Sequence, residues 1–444
     1  MTDSASESPP LVVDLHAHYP MQWMPDFYRS GIAILRVAFG GTVAAAKTAM
    51  NAARVKVELL VATEADPRLV LEARQWLLET QQIWHTRLNR LKAFLMGVAN
   101  ILANFPKGSG PAVTPELMRA GGVRIAFSPL LDPCDEFFDG YPEWPAGSPF
   151  FHLQQQMDFV EYKVRNRAPT DNMWFPTRDE LQGAVEEART SERIALIHCV
   201  EGGYYLGDNE EDITNKVEIL AGRGVGYVTL AHLFFRRLAT CVNALPMADW
   251  IYNWWFPQEN VGLTDLGKFA VRQLAEKRIL VDVCHMKELA IVDTLLVLDE
   301  YDTRKPSESP TPIIATHMAC RIGKAKYNLS VDTIKSIIKR KGLLGVIFSR
   351  HLMREHLNTR GDTWEDTCQV VRSHLEMIRE NGDPDLTCAA IGSDHDGFIK
   401  PTLTGLGDAG KMFDLSRWIL SNYAKEANGI LRENAIRVMT RMWM

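Results

Sequence analysis

Eight short apolar runs recur along the chain, each ending in a polar or ionisable residue. They are LVVDLHAH (11–18), VRIAFSP (123–129), RIALIHCVEGG (193–203), GYVTLAH (226–232), ILVDVCH (279–285), PIIATH (312–317), LLGVIFSR (343–350) and CAAIGSDHDG (388–397). Runs of this length, rich in β-branched and aliphatic residues and without alternation, suit strands buried on both faces. Helical stretches separate most of them. TRDELQGAVEEA opens with Thr177 and Glu180 in capping-box spacing, and SVDTIKSIIKRKG has Ser330 as N-cap and Gly342 as stop.

Eight buried strands alternating with helices predict a parallel (β/α)8 TIM barrel. A doubly wound sheet would alternate in the same way. The placement of the ionisable groups separates the two: His, Glu and Asp recur at the C-terminal ends of six strands. A closed barrel brings those ends to one pocket, whereas an open sheet spreads them along an edge.

Residues 1–10 read as a flexible tail and 11–444 as one barrel. Within it, residues 19–120 form a helical insertion between the first two strands, packed rather than loose. His85 falls in the middle of a helical pattern there, so the insertion is expected to supply no ligand. Residues 131–176, rich in Pro, Gly and aromatics, read as an irregular stretch that forms part of a pocket wall.

Composition narrows the class. The 444 residues carry a formal net charge of -6 with no basic block, which argues against a nucleic-acid partner. The seven cysteines are scattered with no CxxC spacing, so neither a disulfide framework nor a thiolate zinc site is indicated. The polar, acidic N-terminus lacks the features of a signal peptide, and no apolar run reaches the ~20 residues of a membrane span. The expectation is a soluble, cytoplasmic enzyme with a small-molecule substrate and no membrane partner, homo-oligomerisation being left open.

The strand ends carry the chemistry. His16 and His18 flank Ala17, and side chains at i and i+2 of a strand point the same way, so both imidazoles can reach one metal ion. Glu201 sits past the third strand, before two glycines, where its two oxygens can bridge two cations. His198 in the same run reads as a core or supporting histidine. His285 and His317 end neighbouring strands and form a second ligand pair. Asp394 ends the eighth strand, beside the first in a closed barrel, and Asp396 reads as holding its loop.

Histidine and carboxylate ligands without cysteine suit two divalent ions, zinc first among them. Two such ions bridged by Glu201 can supply hydroxide near neutral pH to attack a carbonyl, and Asp394 is placed to move the proton to a leaving amine.

At these residues the chain resembles the membrane (renal) dipeptidase family, within the amidohydrolase superfamily. The matching stretches are VVDLHAH, ALIHCVEGG, GVGYVTLAH, GLTDLGKFAVRQLAEKRILVDVCH, PIIATHMACRIGKAKYNLS, GLLGVIFSR and AAIGSDHDG followed by GLGD. The resemblance implies a first metal on His16 and the residue two after it, Glu201 as bridge, a second metal on His285 and His317, and Asp394 as acid/base. It also implies that His232 contacts substrate and steadies the carbonyl oxygen in the transition state.

Three departures accompany the resemblance. The family usually has Asp where this chain has His18. The arginine that grips the substrate carboxylate is replaced by Tyr327, before Asn328. The 19–120 insertion is longer than the family's usual connection. Arg350, at the end of the seventh strand, is the preferred replacement for that arginine, ahead of Arg321 in the loop after His317.

The leading expectation is therefore a dipeptidase-like amide hydrolase. The alternatives are hydrolysis of an N-acyl amino acid, cyclic amide or lactone, and a catalytically inactive metal-binding relative. Retention of Asp394 with all five ligand candidates speaks against the inactive relative, and Tyr327 favours the other substrates.

Overall fold

β1 (Val12–Asp14) pairs on one side with β2 (Val123–Leu130) and on the other with β8 (Ala389–Ile391), and this double pairing closes the sheet. Between them run β3 (Ile194–Glu201), β4 (Tyr227–Thr229), β5 (Leu280–Asp282), β6 (Ile313–Ala315) and β7 (Leu343–Val346), each parallel to its neighbours. The result is an eight-stranded parallel barrel, and every strand coincides with one of the apolar runs, β2 reaching one residue past its run to Leu130. A two-residue strand, Met173–Trp174, lies beside β3 outside this ring. The computed structural model describes residues 9–22, 111–131, 136, 148–245, 247–353, 355, 363–397, 399 and 401–443.

Alternate residues of the strands face opposite ways, which explains why both faces are apolar. Val13, Ile125, Phe127, Ile197, Tyr227, Leu280, Ile314 and Leu343 belong to one buried cluster. Val12, Ala126, Leu196, Val228, Val281, Ile313 and Leu344 belong to another, shared with the surrounding helices.

The helices are α1 (Pro115–Gly121), α2 (Ser148–Asp171), α3 (Leu181–Thr190), α4 (Glu210–Gly222), α5 (Asp249–Trp255), α6 (Asp265–Glu276), α7 (Glu288–Arg304), α8 (Val331–Lys339), α9 (Trp364–Glu380), α10 (Met412–Asn422) and α11 (Asn434–Trp443). Their N-terminal signals hold, whereas the helix expected to stop at Gly342 ends at Lys339 and turns through Lys341 at φ 52. Ser330 caps α8 by accepting from the Thr333 amide, and the Thr177–Glu180 capping box forms, its backbone arm 2.8 Å long.

The stretch 131–176 is not irregular throughout. Phe150, Leu153, Met157, Val160 and Val164 recur at helical spacing and are buried against the barrel, so α2 forms over 24 residues. The helical insertion expected over 19–120 is seen only at its edges, as a 3-10 turn at Tyr19–Gln22 and as α1. Residues 23–110, with His85, lie outside the described residues, as do residues 1–8 of the expected tail and Cys134. Among the described residues, six cysteines are free and buried, and no helix is long and apolar enough to cross a membrane.

Candidate metal centre

Four imidazoles converge on one carboxylate. Glu201 ends β3, and its Oε1 stands 3.4 Å from His16 Nε2 and 3.5 Å from both His285 Nε2 and His317 Nε2. Its Oε2 lies 3.4 Å from His18 Nε2. The histidines pair off around it: His16 and His18 bring their Nε2 atoms to 3.1 Å, His285 and His317 to 3.0 Å. Asp394 Oδ1 joins the first pair, 3.2 Å from His18 Nε2 and 3.7 Å from His16 Nε2. All six side chains are buried. Of the sequence-predicted centre, every ligand candidate and Asp394 are therefore brought together.

The backbone explains the aim of each group. The ladder of β1 ends at Asp14 and the chain bends at Leu15, but amide bonds from Ala17 to Phe127 O and from His18 to His395 O keep the segment between β2 and the loop after β8. Glu201 is followed by Gly202 at φ 120, where a Cβ would meet the Tyr204 ring at 2.1 Å. His285 and Asp394 have φ of 66 and 58, the left-handed region that costs non-glycine residues energy and concentrates at functional sites. Gly397 lets the Asp394 turn close, since a Cβ there would sit 1.8 Å from Asp394 Oδ1.

These donors fit divalent ions. Donor atoms about 2.0–2.2 Å from a shared tetrahedral ion stand roughly 3.3–3.6 Å apart, the spacing found between Glu201 and the histidines. His16, His18 and Asp394 form one group able to hold a cation, and Glu201, His285 and His317 another. Glu201 Oε2 is buried and accepts no hydrogen bond among the described residues, an orphan that a cation would satisfy.

Charge follows from the crowding. Burial would raise Glu201, but His232 and His16 beside it hold its carboxyl well below the usual range. Burial pushes His285 down, and His317 well down with His16 adding to the effect, so both rings are neutral and suited to ligation. Burial also works on His16, yet the Glu201 carboxylate prevails and raises it.

His232, past the end of β4, faces the same carboxylate with Nε2 3.7 Å from Glu201 Oε2, and its ring lies edge-on to His285. Its other nitrogen, Nδ1, is 2.6 Å from Oε2 of Glu136, which also accepts from the Phe234 amide at 2.9 Å. Burial opposes the charged form of His232, but the carboxylates of Glu136, Glu201 and Asp394 together more than offset this and lift the ring to about 9. His232 is thus an imidazolium at neutral pH. Sequence reasoning missed Glu136. Residues 131–176 were expected to wall the pocket, but nothing in that stretch singled it out.

Asp14 and Asp282 were missed as well. Each stands inside an apolar strand, and a carboxylate there needs donors. Asp14 takes Ser393 Oγ at 2.6 Å and Asp282 takes the hydroxyls of Thr229 and Thr316 at 2.7 Å, tying neighbouring strand ends together.

The remaining expected residues lie where follows. Tyr327 is buried at the site, its hydroxyl donating to His317 O at 3.3 Å and its ring edge-on to His285. Arg321 turns to its own loop, donating to Asn328 O and Lys326 O. Arg350 is half-buried in the loop after β7, its amide bonded to Pro401 O. His198 faces away from the centre, stacked on Phe175 and bonded to Glu161, and Asp396 accepts the amides of Ala112 and Val113.

Comparison with known proteins bears on the family and the fold. The profile of the membrane dipeptidase family, peptidase family M19, matches residues 91–442. An uncharacterized protein in the PQQ-III 3' region of Acinetobacter calcoaceticus is 30% identical over 204 residues, 45% of this chain and 56% of its own length. Dipeptidase 3 of Mus musculus is 23% identical over 266 residues, 59% of this chain and 48% of its own. The chain thus spans about half the length of each of these two curated relatives. A Rhodobacter sphaeroides metallopeptidase, solved with a phosphinate mimic of L-Ala-D-Ala, superposes with a TM-score of 0.59 at 18% identity, covering 80% of this chain and 97% of that one. A dipeptidase described as a metallopeptidase of family M19 gives 0.58 at 18% identity, covering 80% and 96%. At such identities the solved structures establish the shared fold.

Proposed function

The chain belongs to the membrane dipeptidase family, peptidase family M19, and so to the metal-dependent, dipeptidase-like hydrolases; on that premise we propose that it cleaves an amide bond of a dipeptide-like substrate in the cytoplasm with two divalent ions, most simply zinc. The observation that carries this reading is the convergence of four histidine Nε2 atoms on the single carboxylate of Glu201.

His16 and His18 hold one ion, His285 and His317 the other, and Glu201 serves both. When bound, such a pair polarises a carbonyl and makes water nucleophilic near neutral pH. Asp394 takes a proton from the attacking water and delivers it to the leaving amine as the C–N bond breaks, giving a carboxylate and a free amine. His232, held by Glu136, donates from Nε2 to the carbonyl oxygen as it gains charge.

Metal analysis should find about two divalent ions per chain. Asp394→Asn should keep the fold and the metal while turnover of dipeptides falls by roughly 10² or more. Near-normal turnover in a folded, metal-loaded Asp394→Asn protein would remove Asp394 from this role.

A second reading rests on Tyr327. A dipeptidase must pair its substrate's carboxylate, and a phenol already donating to His317 O makes no bidentate ion pair. To that extent the alternative without a free carboxylate, hydrolysis of a neutral cyclic amide or lactone, is favoured over both a dipeptide and an N-acyl amino acid. Arg350 is our candidate for the missing cation. Arg350→Met should raise KM for substrates with a free carboxylate and spare their amidated analogues. Equal effects on both kinds would exclude Arg350, and a wild-type enzyme indifferent to the carboxylate would favour the second reading.

A further inference from the structure

Behind the four converging Nε2 atoms, the rings differ at their other nitrogen. His16 Nδ1 lies 2.7 Å from the Tyr227 hydroxyl, which is also 3.1 Å from Leu15 O. A carbonyl oxygen only accepts, so the phenol proton goes to Leu15 and the phenol oxygen accepts from His16 Nδ1–H. His317 Nδ1 lies 2.8 Å from Thr316 Oγ1, which is 2.7 Å from Asp282 Oδ2. The single hydroxyl proton goes to the carboxylate, so Thr316 accepts from His317 Nδ1–H.

Asp282 is fixed in turn. Its Oδ1 takes the amides of Thr316 at 3.0 Å and Cys284 at 3.2 Å, and its Oδ2 also takes the Thr229 hydroxyl. His16, Asp282 and His317 come close enough to hold a third cation. The Thr316 hydroxyl bonds all three, however, reaching His16 Nδ1 at 3.3 Å. This group is a hydrogen-bond knot. By contrast, the Nδ1 atoms of His18 and His285 are buried with no hydrogen-bond partner among the described residues. Each half of the centre therefore has one histidine with a hydrogen-bonded Nδ1 and one whose Nδ1 has no such partner among the described residues.

We propose that Tyr227 on one side, and Thr316 with Asp282 on the other, are positioning residues that preset His16 and His317 with the proton on Nδ1 and the Nε2 lone pair facing the ion, and so set the affinity of each half for its metal. This rests on the two-ion reading of the site. Outer partners of ligating histidines typically change metal affinity roughly 10- to 100-fold.

The test is zinc titration of the metal-free full-length chain against a competing chelator, with His317→Ala and His18→Ala identifying which step belongs to which half. Thr316→Val, nearly isosteric but without the hydroxyl, should weaken the His285–His317 step by roughly 10- to 100-fold, and Thr316→Ser should restore it. Tyr227→Phe should weaken the His16–His18 step by a similar factor. Unchanged zinc affinity in folded Thr316→Val and Tyr227→Phe would overturn the proposal, as would equal losses in Thr316→Val and Thr316→Ser. If Thr316→Val does not fold, the outcome for Tyr227→Phe decides. A wild-type chain that binds no zinc, cobalt or manganese would instead overturn the two-ion reading, and this inference with it.

Discussion

At Glu136 both carboxylate oxygens are occupied, one by His232 Nδ1 and the other by the Phe234 amide. Glu136→Gln keeps the shape and an acceptor but removes the charge that sustains the His232 imidazolium. The expected result is a loss in kcat of about 10- to 100-fold, less than the 10²–10³ that follows deletion of an oxyanion donor. Bound metal, measured on the same sample by mass spectrometry, should be unchanged; lost metal would place Glu136 in metal binding instead. The contrast with Glu201 shows what a sequence discloses at this scale. Glu201, His285 and His317 each terminate an apolar run, so their burial and direction are implied by the run itself. Glu136 follows Pro133 and Asp135 in a stretch with no period, and its partner lies 96 positions away. Asp14 and Asp282 were within reach, since an acid inside VVDLH or LVDVCH cannot be buried without donors.

Among elements, strands were the most legible because each must be apolar on both faces, whereas α2 was hidden by its flanks. Its buried positions 150, 153, 157, 160 and 164 carry a helical period, but Pro, Gly and aromatic residues on either side suggested a loop. The insertion between β1 and β2 cannot be judged in the same way, since most of it lies outside the described residues. One knot fastens α2 to the barrel: Glu161 accepts from His198 of β3 at 3.0 Å and from Arg223, just past α4, at 2.7 Å. Burial would raise the Glu161 carboxyl, but these two donors lower it from 4.5 to about 2. An acid whose folded value is depressed adds stability above its unfolded value and loses it as pH falls through the folded one. Denaturant unfolding between pH 5 and about pH 2.5 should therefore show wild-type stability declining toward that of Glu161→Gln. A gap between the two proteins that stays constant over this window would mean that the knot acts through packing alone.

For the molecule as a whole, closure of the barrel is what makes a metal centre possible, and the centre should in turn hold the barrel closed. Its candidate donors come from the ends of β1, β3, β5, β6 and β8, so ions bound there would join strands that lie far apart in sequence. Without ions, four Nε2 atoms crowd one carboxylate, whose charge raises His16 against the effect of burial. An unfolded chain has no such cluster, so ion binding favours the folded state by mass action. At a free ion concentration of 100 times the Kd this amounts to about 2.7 kcal/mol for each site. Calorimetry should show the Tm falling by several degrees on exhaustive chelation and returning with added zinc, cobalt or manganese. Glu201→Gln, which weakens both sites together, should be nearly insensitive to chelator, whereas His18→Ala should keep part of the shift through His285 and His317. A Tm independent of metal in the wild-type chain would mean that the strand ends are held by the Asp14–Ser393 and Asp282–Thr316 bonds alone. The ions would then serve chemistry without serving the fold.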